Sequence, residues 1–154
     1  MKKILFIIVT VILFVGCSGG EELVVDTQMF FLARSNYSGN NTLTATFCVF
    51  KNGDYDPMTF KYSFDIPSAW ESAEIKTKSG ETVKASYIDI VLDHEGYGSY
   101  KCSPGDYYVV AMINSNNKGI IWKSKKISVT KNKATTIEPI FKNTYASGYF
   151  EWDE

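Results

Sequence analysis

Alternation of apolar and polar side chains in steps of two is the feature that most constrains this chain. It is cleanest in the segment 42–51, TLTATFCVFK. One face of that segment carries four apolar residues, Leu43, Ala45, Phe47 and Val49. Because successive side chains of a β-strand point to opposite sides, this period predicts a strand with one buried face. The segment 58–66 repeats the pattern, with Pro57 interrupting the ladder just before it.

The composition supports the same fold class. Ten Tyr, ten Phe and three Trp occur in 154 residues, and aromatic residues fit the half-buried surface of a sheet. Short strands separated by turn signals predict an all-β chain, organised as a single antiparallel β-sandwich of the immunoglobulin-like or transthyretin-like kind. Hairpins are expected about 79–81 and about 131–133. The spacing of Ser68 and Glu71 matches a capping box, so at most one short helix is expected, near 68–74.

The segment 106–113 differs because both of its faces are apolar. Tyr107, Val109 and Ala111 lie on one face, and Tyr108, Val110 and Met112 on the other. Two interpretations remain open. The strand is central and covered on both sides, or its second face is an interaction surface.

The N-terminal segment is an export signal. Met1-Lys2-Lys3 precedes twelve residues, 4–15, that are apolar except for Thr10. As a helix they would span about 18 Å, well short of the ~30 Å hydrocarbon core of a bilayer. The segment is therefore excluded from the folded domain.

The apolar segment ends in FVGCSGGEE, residues 14–22. With Cys17 as the first mature residue, the bulky Phe14 stands at position −3, where an ordinary signal peptidase site has a small residue. The stretch resembles the lipobox of bacterial lipoproteins, and the alternative is ordinary cleavage within 17–20. The resemblance implies a diacylated Cys17, and acyl chains suffice for stable anchoring. The predicted organisation is a signal peptide (1–16), a lipidated tether (17–27), a β-sandwich domain (28–142) and an aromatic, acidic tail (143–154).

The same segment is similar to lipoproteins of the Bacteroidetes, in which acidic residues soon after the acylated Cys favour export to the cell surface. Glu21 and Glu22 stand in that place, and Ser18 is not the Asp that retains some lipoproteins in the inner membrane. The resemblance implies an envelope protein of the outer membrane, surface-exposed, held by palmitate-type chains. After cleavage, 14 Lys and Arg face 17 Asp and Glu, which gives nucleic-acid binding little support.

Two further stretches, DHEGYGSY (93–100) and PGDYYVVA (104–111), resemble the transthyretin-like, carboxypeptidase-regulatory-like β-sandwich domains. Gly residues turn the chain, and Tyr and Val fill the core. The resemblance implies the sandwich fold alone. It brings no catalytic residues and no cofactor.

Two cysteines remain once Cys17 is acylated, and two interpretations apply to them. Cys48 and Cys102 could form a disulfide in an oxidising compartment. Alternatively, Cys48 is a small buried thiol in an apolar strand.

Few residues carry a chemical signal. His94 is the one histidine, so it excludes a multi-His zinc site and is interpreted as a turn residue. Asp54 and Asp56 offer oxygen ligands for calcium but lack the full loop pattern, so turn chemistry is the competing interpretation. No metal or cofactor is predicted. Five aromatic residues are candidates for a platform that stacks on glycan rings: Trp70, Tyr97, Trp122, Tyr149 and Trp152.

The sequence thus predicts a non-enzymatic, lipid-anchored envelope protein that presents a β-sandwich for binding or assembly. Its partners would be the membrane, through the lipid, and an envelope protein or glycan. A subunit of a surface assembly such as a pilus or transporter is the alternative, with the second face of 106–113 or the aromatic tail as the docking strip. An envelope hydrolase using paired carboxylates is a third hypothesis.

Overall fold

The computed structural model describes residues 26–35, 42–65, 70–93, 96–115, 119–142 and 149–152. These residues form strands and no helix, which confirms the all-β prediction. Accordingly, none of the described segments is a helix able to cross a bilayer. The thirteen strands are β1 (Gln28–Phe31), β2 (Arg34–Ser35), β3 (Ala45–Lys51), β4 (Tyr55–Asp65), β5 (Trp70–Thr77), β6 (Thr82–Lys84), β7 (Tyr87–Val91), β8 (Gly98–Lys101), β9 (Gly105–Ser115), β10 (Gly119–Val129), β11 (Ala134–Ile137), β12 (Pro139–Lys142) and β13 (Tyr149–Trp152).

The strands form a central sheet with a layer on each face. The central sheet has the order β10-β9-β3-β7. The hairpin layer, β4-β5-β6, covers one face. The end layer covers the other face and consists of two small sheets, β11-β1-β8 and β13-β12-β2. This is a sandwich with a third layer, and its end layer contains two parallel pairs, β1 with β11 and β2 with β12.

Alternate residues of the central strands enter two separate cores. Phe47 of β3 and Val109 of β9 pack toward the end layer. Cys48 of β3 and Val110 of β9 pack toward the hairpin layer. The first core also contains residues from both ends of the chain, Met29, Phe31, Ile137 and Phe141. The second is built with Phe50, Tyr55, Ala73, Ile75 and Tyr108.

The apolar second face of β9 therefore belongs to a core. Tyr108 and Met112 are buried, and Val110 is fully buried. The interpretation of β9 as a central strand covered on both sides is confirmed, and the docking-strip interpretation of this face is wrong. The reason is that the hairpin layer already covers it.

The layers have two ends, here called the N-terminal pole and the far pole. At the N-terminal pole, β1 begins beside the end of β8, with Gln28 opposite Lys101, and β10 ends opposite the start of β9, with Val129 opposite Gly105. The far pole holds the pairs Phe31 with Gly98, Ala45 with Val91 and Ser115 with Gly119. The described chain thus enters the domain at the N-terminal pole.

Several local predictions are confirmed. β5 and β6 form the hairpin about 79–81, with Gly80 at φ 94°. The ladder between β4 and β5 shifts register between Asp56 and Lys61, as expected next to Pro57. After β6 the chain leaves the hairpin layer, because Ala85 N–H donates to Ala73 and Ser86 N–H donates to Val49 of the central sheet.

The short helix that the capping-box spacing allowed near 68–74 does not form in the described residues 70–74. They belong to β5, which pairs with β4 on one side and β6 on the other. Ala73 and Ile75 are buried two residues apart, the period of a strand. Pairing and burial override the weak capping signal.

The hairpin predicted about 131–133 is also wrong. β10 pairs with β9, whereas β11 pairs with β1 in parallel. The turn itself exists, with Asn132 at φ 57°, but it carries the chain from the central sheet to the end layer. The predicted tail, 143–154, contains β13, which pairs with β12.

Candidate binding sites

The five aromatic candidates do not form one platform. Trp70 begins β5 of the hairpin layer and is 70% exposed, whereas Tyr97 precedes β8 of the end layer and is 62% exposed. These layers lie on opposite faces of the central sheet. Tyr97 packs edge-on against Phe30, with ring centroids 5.4 Å apart. Each exposed ring therefore belongs to a different surface.

Of the remaining aromatic candidates, Trp122 is the one whose side chain the structure describes. Trp122 packs against the hairpin core, with its ring centroid 5.2 Å from that of Phe60. Trp122 is therefore a partly buried residue that packs against this core. Tyr149 and Trp152 are the first and last residues of β13, and their side chains lie outside the described part of the chain. Cys17 and His94 are outside the described residues altogether.

The disulfide between Cys48 and Cys102 is not formed, and that suggestion is wrong. Both thiols are free. Cys48 is buried in the hairpin core, and Cys102 packs against the core beneath the end layer. Period-two alternation separates them, because Cys48 of β3 faces away from the layer in which Cys102 lies. Burial, and then the carboxylate of Glu71, raise the pKa of Cys48 from 9.0 to about 12, so Cys48 is a structural thiol.

Asp54 and Asp56 serve the turn between β3 and β4. The carboxylate of Asp54 lies 3.1 Å from the Lys78 ammonium, and Asp56 Oδ1 accepts the Met58 N–H at 3.1 Å. Among the described residues, no three His, Cys, Asp or Glu side chains come together as metal ligands would. These contacts favour turn chemistry for both carboxylates.

A groove of about 550 Å³ lies beside Trp70, between β5 and β7, and contains two carboxylates. Glu71 is hydrogen-bonded to Tyr62, and burial, followed by that carboxylate, raises the pKa of Tyr62. Asp89 lies beside Tyr87. The Tyr87 hydroxyl donates to the Ser99 carbonyl at 3.1 Å. Glu71 shares its face of β5 with a hairpin-core residue, whereas Asp89 shares its face of β7 with an end-core residue. The pair therefore does not face a common reacting centre of the kind a glycosidase needs.

A second groove opens at the N-terminal pole and is here called the N-terminal groove. Its volume is about 750 Å³. It combines two lysines with hydroxyl and amide groups, and its lining residues are Lys51, Asn52, Ser86, Tyr100, Lys101, Cys102, Ser103, Pro104, Gly105, Asp106 and Tyr107. Such a lining can bind an anion through ammonium charge and neutral donors.

The wall of this groove is held in place by hydrogen bonds. Tyr107 O–H donates to the Ser103 carbonyl at 2.7 Å, which closes the loop between β8 and β9. Cys102 N–H donates to the Thr27 carbonyl at 3.2 Å. Burial raises the pKa of both Cys102 and Tyr107, so these walls remain neutral at ordinary pH.

The N-terminal groove was not predicted from the sequence, because its two lysines lie far apart in the chain. Lys51 ends β3 and Lys101 ends β8, and 50 residues separate them. The one available signal was that each lysine directly precedes a turn-rich stretch, NGD or CSPG. Only the antiparallel packing of several strands brings these two turns to the same pole.

Comparison of the chain with protein-family models, curated proteins and solved structures found no match. Its likeness to transthyretin-like domains thus stays a prediction drawn from two short stretches.

Proposed function

We propose that the chain is a lipid-anchored protein of the bacterial cell envelope that presents its β domain for binding or assembly. The observation that carries the proposal is the FVGC sequence ending at Cys17, directly after an apolar run too short to span a bilayer. In this proposal Cys17 carries the acyl chains, and the outer membrane, with the domain at the cell surface, is the location.

The position of the first strand supports a tether. β1 begins at Gln28, eleven residues after Cys17. Those residues leave room for a linker between the membrane and a domain that enters its fold at one pole. The composition of this stretch, with Gly19 and Gly20 followed by Glu21 and Glu22, is that of a linker.

The distribution of exposed apolar side chains supports presentation for binding. Six large apolar side chains of the described residues are exposed. Five of them stand at the far-pole ends of their strands: Phe64, Trp70, Ile90, Tyr97 and Ile120. A tether at the N-terminal pole would direct that end away from the membrane. Two of the five, Trp70 and Ile90, line one groove and favour the second candidate, a subunit of a surface assembly, because adjoining exposed apolar residues are typical of interfaces.

The experiment that tests the anchor compares the wild type with Cys17→Ala in the producing bacterium. We expect the wild type to incorporate labelled palmitate, to accumulate as precursor under globomycin, and to remain with membranes after a carbonate wash. Cys17→Ala should lose the label. Cys102→Ala is the matched control and should keep it. An unlabelled wild-type protein that stays in the membrane would overturn the proposal.

Sedimentation of the purified, detergent-solubilised protein separates the two candidates. A display domain should sediment as one copy per micelle at all protein concentrations. A self-assembling subunit should form larger species as concentration rises. Replacing Trp70 with Ser should abolish those larger species if the far pole is the contact.

A further inference from the structure

We propose that the N-terminal groove binds the phosphate of an anionic lipid headgroup in the membrane that carries the chain. The inference rests on the proposed function, since the acyl chains on Cys17 are what would hold the groove next to the headgroups. It adds a second, non-covalent contact between the domain and the membrane. It also fixes which pole faces the lipid.

The tether brings this groove to the headgroups. Nine residues lead from Cys17 to Asp26, which limits the separation to roughly 31 Å when fully extended. The chain then reaches Thr27, whose carbonyl accepts the N–H of Cys102 in the groove wall at 3.2 Å. The groove is thus the concave surface next to the point where the tether arrives.

The N-terminal pole carries more positive charge than the far pole, as contact with an anionic membrane requires. Seven lysines lie at the N-terminal pole: Lys51, Lys76, Lys78, Lys101, Lys126, Lys131 and Lys133. They stand among five carboxylates, Asp26, Asp54, Asp56, Glu81 and Asp106. At the far pole, two cations occur among the described side chains, Arg34 and Lys123, which lies level with Asp89 in the central sheet. The carboxylates there are Asp65, Glu71, Asp89, Asp93 and Glu138. An anionic surface therefore attracts the first pole and repels the second.

The groove offers the chemistry that a phosphate recognises. Lys51 and Lys101 supply ammonium groups, and Ser103 and Asn52 supply neutral donors. The Ser86 hydroxyl is already engaged, because it donates to the Val49 carbonyl at 2.9 Å. Among the described lining residues the one carboxylate is Asp106, which already accepts a hydrogen bond from Ser128 at 2.6 Å. Cationic and neutral donors thus outnumber the single acid.

Asp26 acts as an internal competitor for the phosphate. Its carboxylate lies 2.5 Å from the Lys101 ammonium, and both side chains are mostly exposed, at 55% and 76%. An exposed ion pair of this kind contributes little to stability, so an external anion can replace it at small cost. Removing the Asp26 charge should therefore strengthen headgroup binding.

The test measures how fast each lysine is acetylated, by mass spectrometry, in the full lipidated protein. The protein is reconstituted in vesicles of phosphatidylethanolamine with phosphatidylglycerol, in phosphatidylcholine vesicles, and in detergent with inorganic phosphate. We expect Lys51 and Lys101 to react about fivefold more slowly in the phosphatidylglycerol vesicles, the factor that corresponds to one lysine held at an anionic surface. The internal controls are Lys61 and Lys84, exposed lysines of the hairpin layer, whose rates should not change.

Three results would overturn the proposal. The first is an equal rate at Lys51 and Lys101 in the two kinds of vesicle. The second is equal slowing by inorganic phosphate in detergent, which would show that the groove takes a soluble anion. The third is slowing of Lys61 and Lys84 to the same extent, which would show adsorption without a site.

Two variants sharpen the result. Asp26→Asn should increase the protection of Lys101, and unchanged or weaker protection counts against the proposal. Lys101→Gln should reduce the protection of Lys51, whereas Lys84→Gln, the matched control, should leave it intact.

If mass spectrometry finds no acyl chains on Cys17, the proposed function fails by itself. The same labelling, with vesicles added to the purified chain, then still decides whether the groove binds the headgroup.

Discussion

The two layers that cover the central sheet are assembled in opposite ways. The hairpin layer comes from one continuous stretch, β4 to β6 (Tyr55–Lys84). The end layer brings together β1 and β2, near the first described residues, with β8, β11, β12 and β13. The first layer closes mainly through local turns, and the second requires contacts between distant parts of the chain. The comparison shows which parts of this fold depend on neighbours in sequence and which depend on the whole molecule.

The central strand β3 links the two layers. Phe47 stacks on Phe31 of the end layer, with ring centroids 4.9 Å apart. Its neighbours in sequence, Cys48 and Phe50, are fully buried toward the hairpin layer. Because one strand supplies both cores, each layer stabilises the surface on which the other packs. We expect the two layers to unfold together.

The largest expected effect comes from emptying either core. Phe47→Ala should lower the free energy of unfolding by about 3–5 kcal/mol, and Ile75→Ala in the hairpin core by about 2–5 kcal/mol. Both side chains are fully buried, so each change removes apolar contacts and leaves a cavity. Urea unfolding followed by tyrosine fluorescence and by circular dichroism would measure both.

The control for these variants is Phe64→Ala. Phe64 lies on β4 and is half exposed, so its loss should change stability by no more than about 0.5 kcal/mol. A single transition shared by both probes is expected for every variant. Two separate transitions in Ile75→Ala would contradict the coupling through β3 and would make the hairpin layer an independent unit.

The same comparison explains how much of the fold could be predicted. The hairpin about Gly80 and the irregularity near Pro57 follow from residues close in sequence, and both were correctly predicted. The partner of β11 could not be found this way. Ala134 pairs with Gln28, more than 100 residues earlier, and no local pattern distinguishes that parallel pairing from a hairpin with β10.

Alkaline pH provides a second test, directed at the hairpin core alone. The pKa of Cys48 is raised to about 12 from 9.0, so between these values the folded state holds a proton that the unfolded state has lost. The free energy of unfolding therefore keeps the full contribution of the Cys48 proton below pH 9. It falls by up to roughly 4 kcal/mol as the pH rises toward 12. Chemical unfolding at a series of pH values would measure the slope.

Two variants isolate this effect. Cys48→Ala should flatten the slope between pH 9 and 12, whatever its own cost at neutral pH. Cys102→Ala, at a less buried thiol, should keep most of the slope. An unchanged profile in Cys48→Ala would assign the alkaline sensitivity to the buried tyrosines instead.

Predicting the candidate site was harder than predicting the fold. Trp70 and Tyr97 are exposed, as is expected of aromatic residues on a binding surface. The sequence does not show that they lie in different layers. Trp122 has the same residue type and faces a core. The lysines of the N-terminal groove have no distinguishing pattern at all, because their meeting point is set by the lengths and directions of strands far apart in the chain.

A smaller effect is expected at the hydrogen bond between the hydroxyls of Tyr108 and Ser124. The two oxygens are 2.5 Å apart, and Tyr108 is buried in the hairpin core. Tyr108→Phe should lower the free energy of unfolding by about 1 kcal/mol, the usual net value of one such bond. A double-mutant cycle with Ser124→Ala measures the coupling. Additive effects of the two substitutions would show that the bond contributes nothing.

Two ion pairs, one in each layer, should contribute unequally to stability, and the smallest effect should come from the pair in the hairpin layer. Asp54 and Lys78 hold the turn of the hairpin layer with side chains that are about two-thirds exposed. Asp54→Asn should therefore cost less than about 0.5 kcal/mol, and the difference should disappear in high salt. The backbone bond from Lys78 N–H to the Asp54 carbonyl, at 2.8 Å, remains in the variant and preserves the turn.

Arg34 and Glu138 form the corresponding pair of the end layer, and their side chains are 37% exposed. Glu138→Gln should cost about 1 kcal/mol, since the guanidinium loses a charged partner in a less solvated place. Its effect should persist in high salt, because a partly buried pair is screened less. The measurement is the difference in urea midpoint for the two variants at low and high salt. Equal salt sensitivity of the two variants would contradict this prediction. It would show that the two ion pairs are equally accessible to solvent.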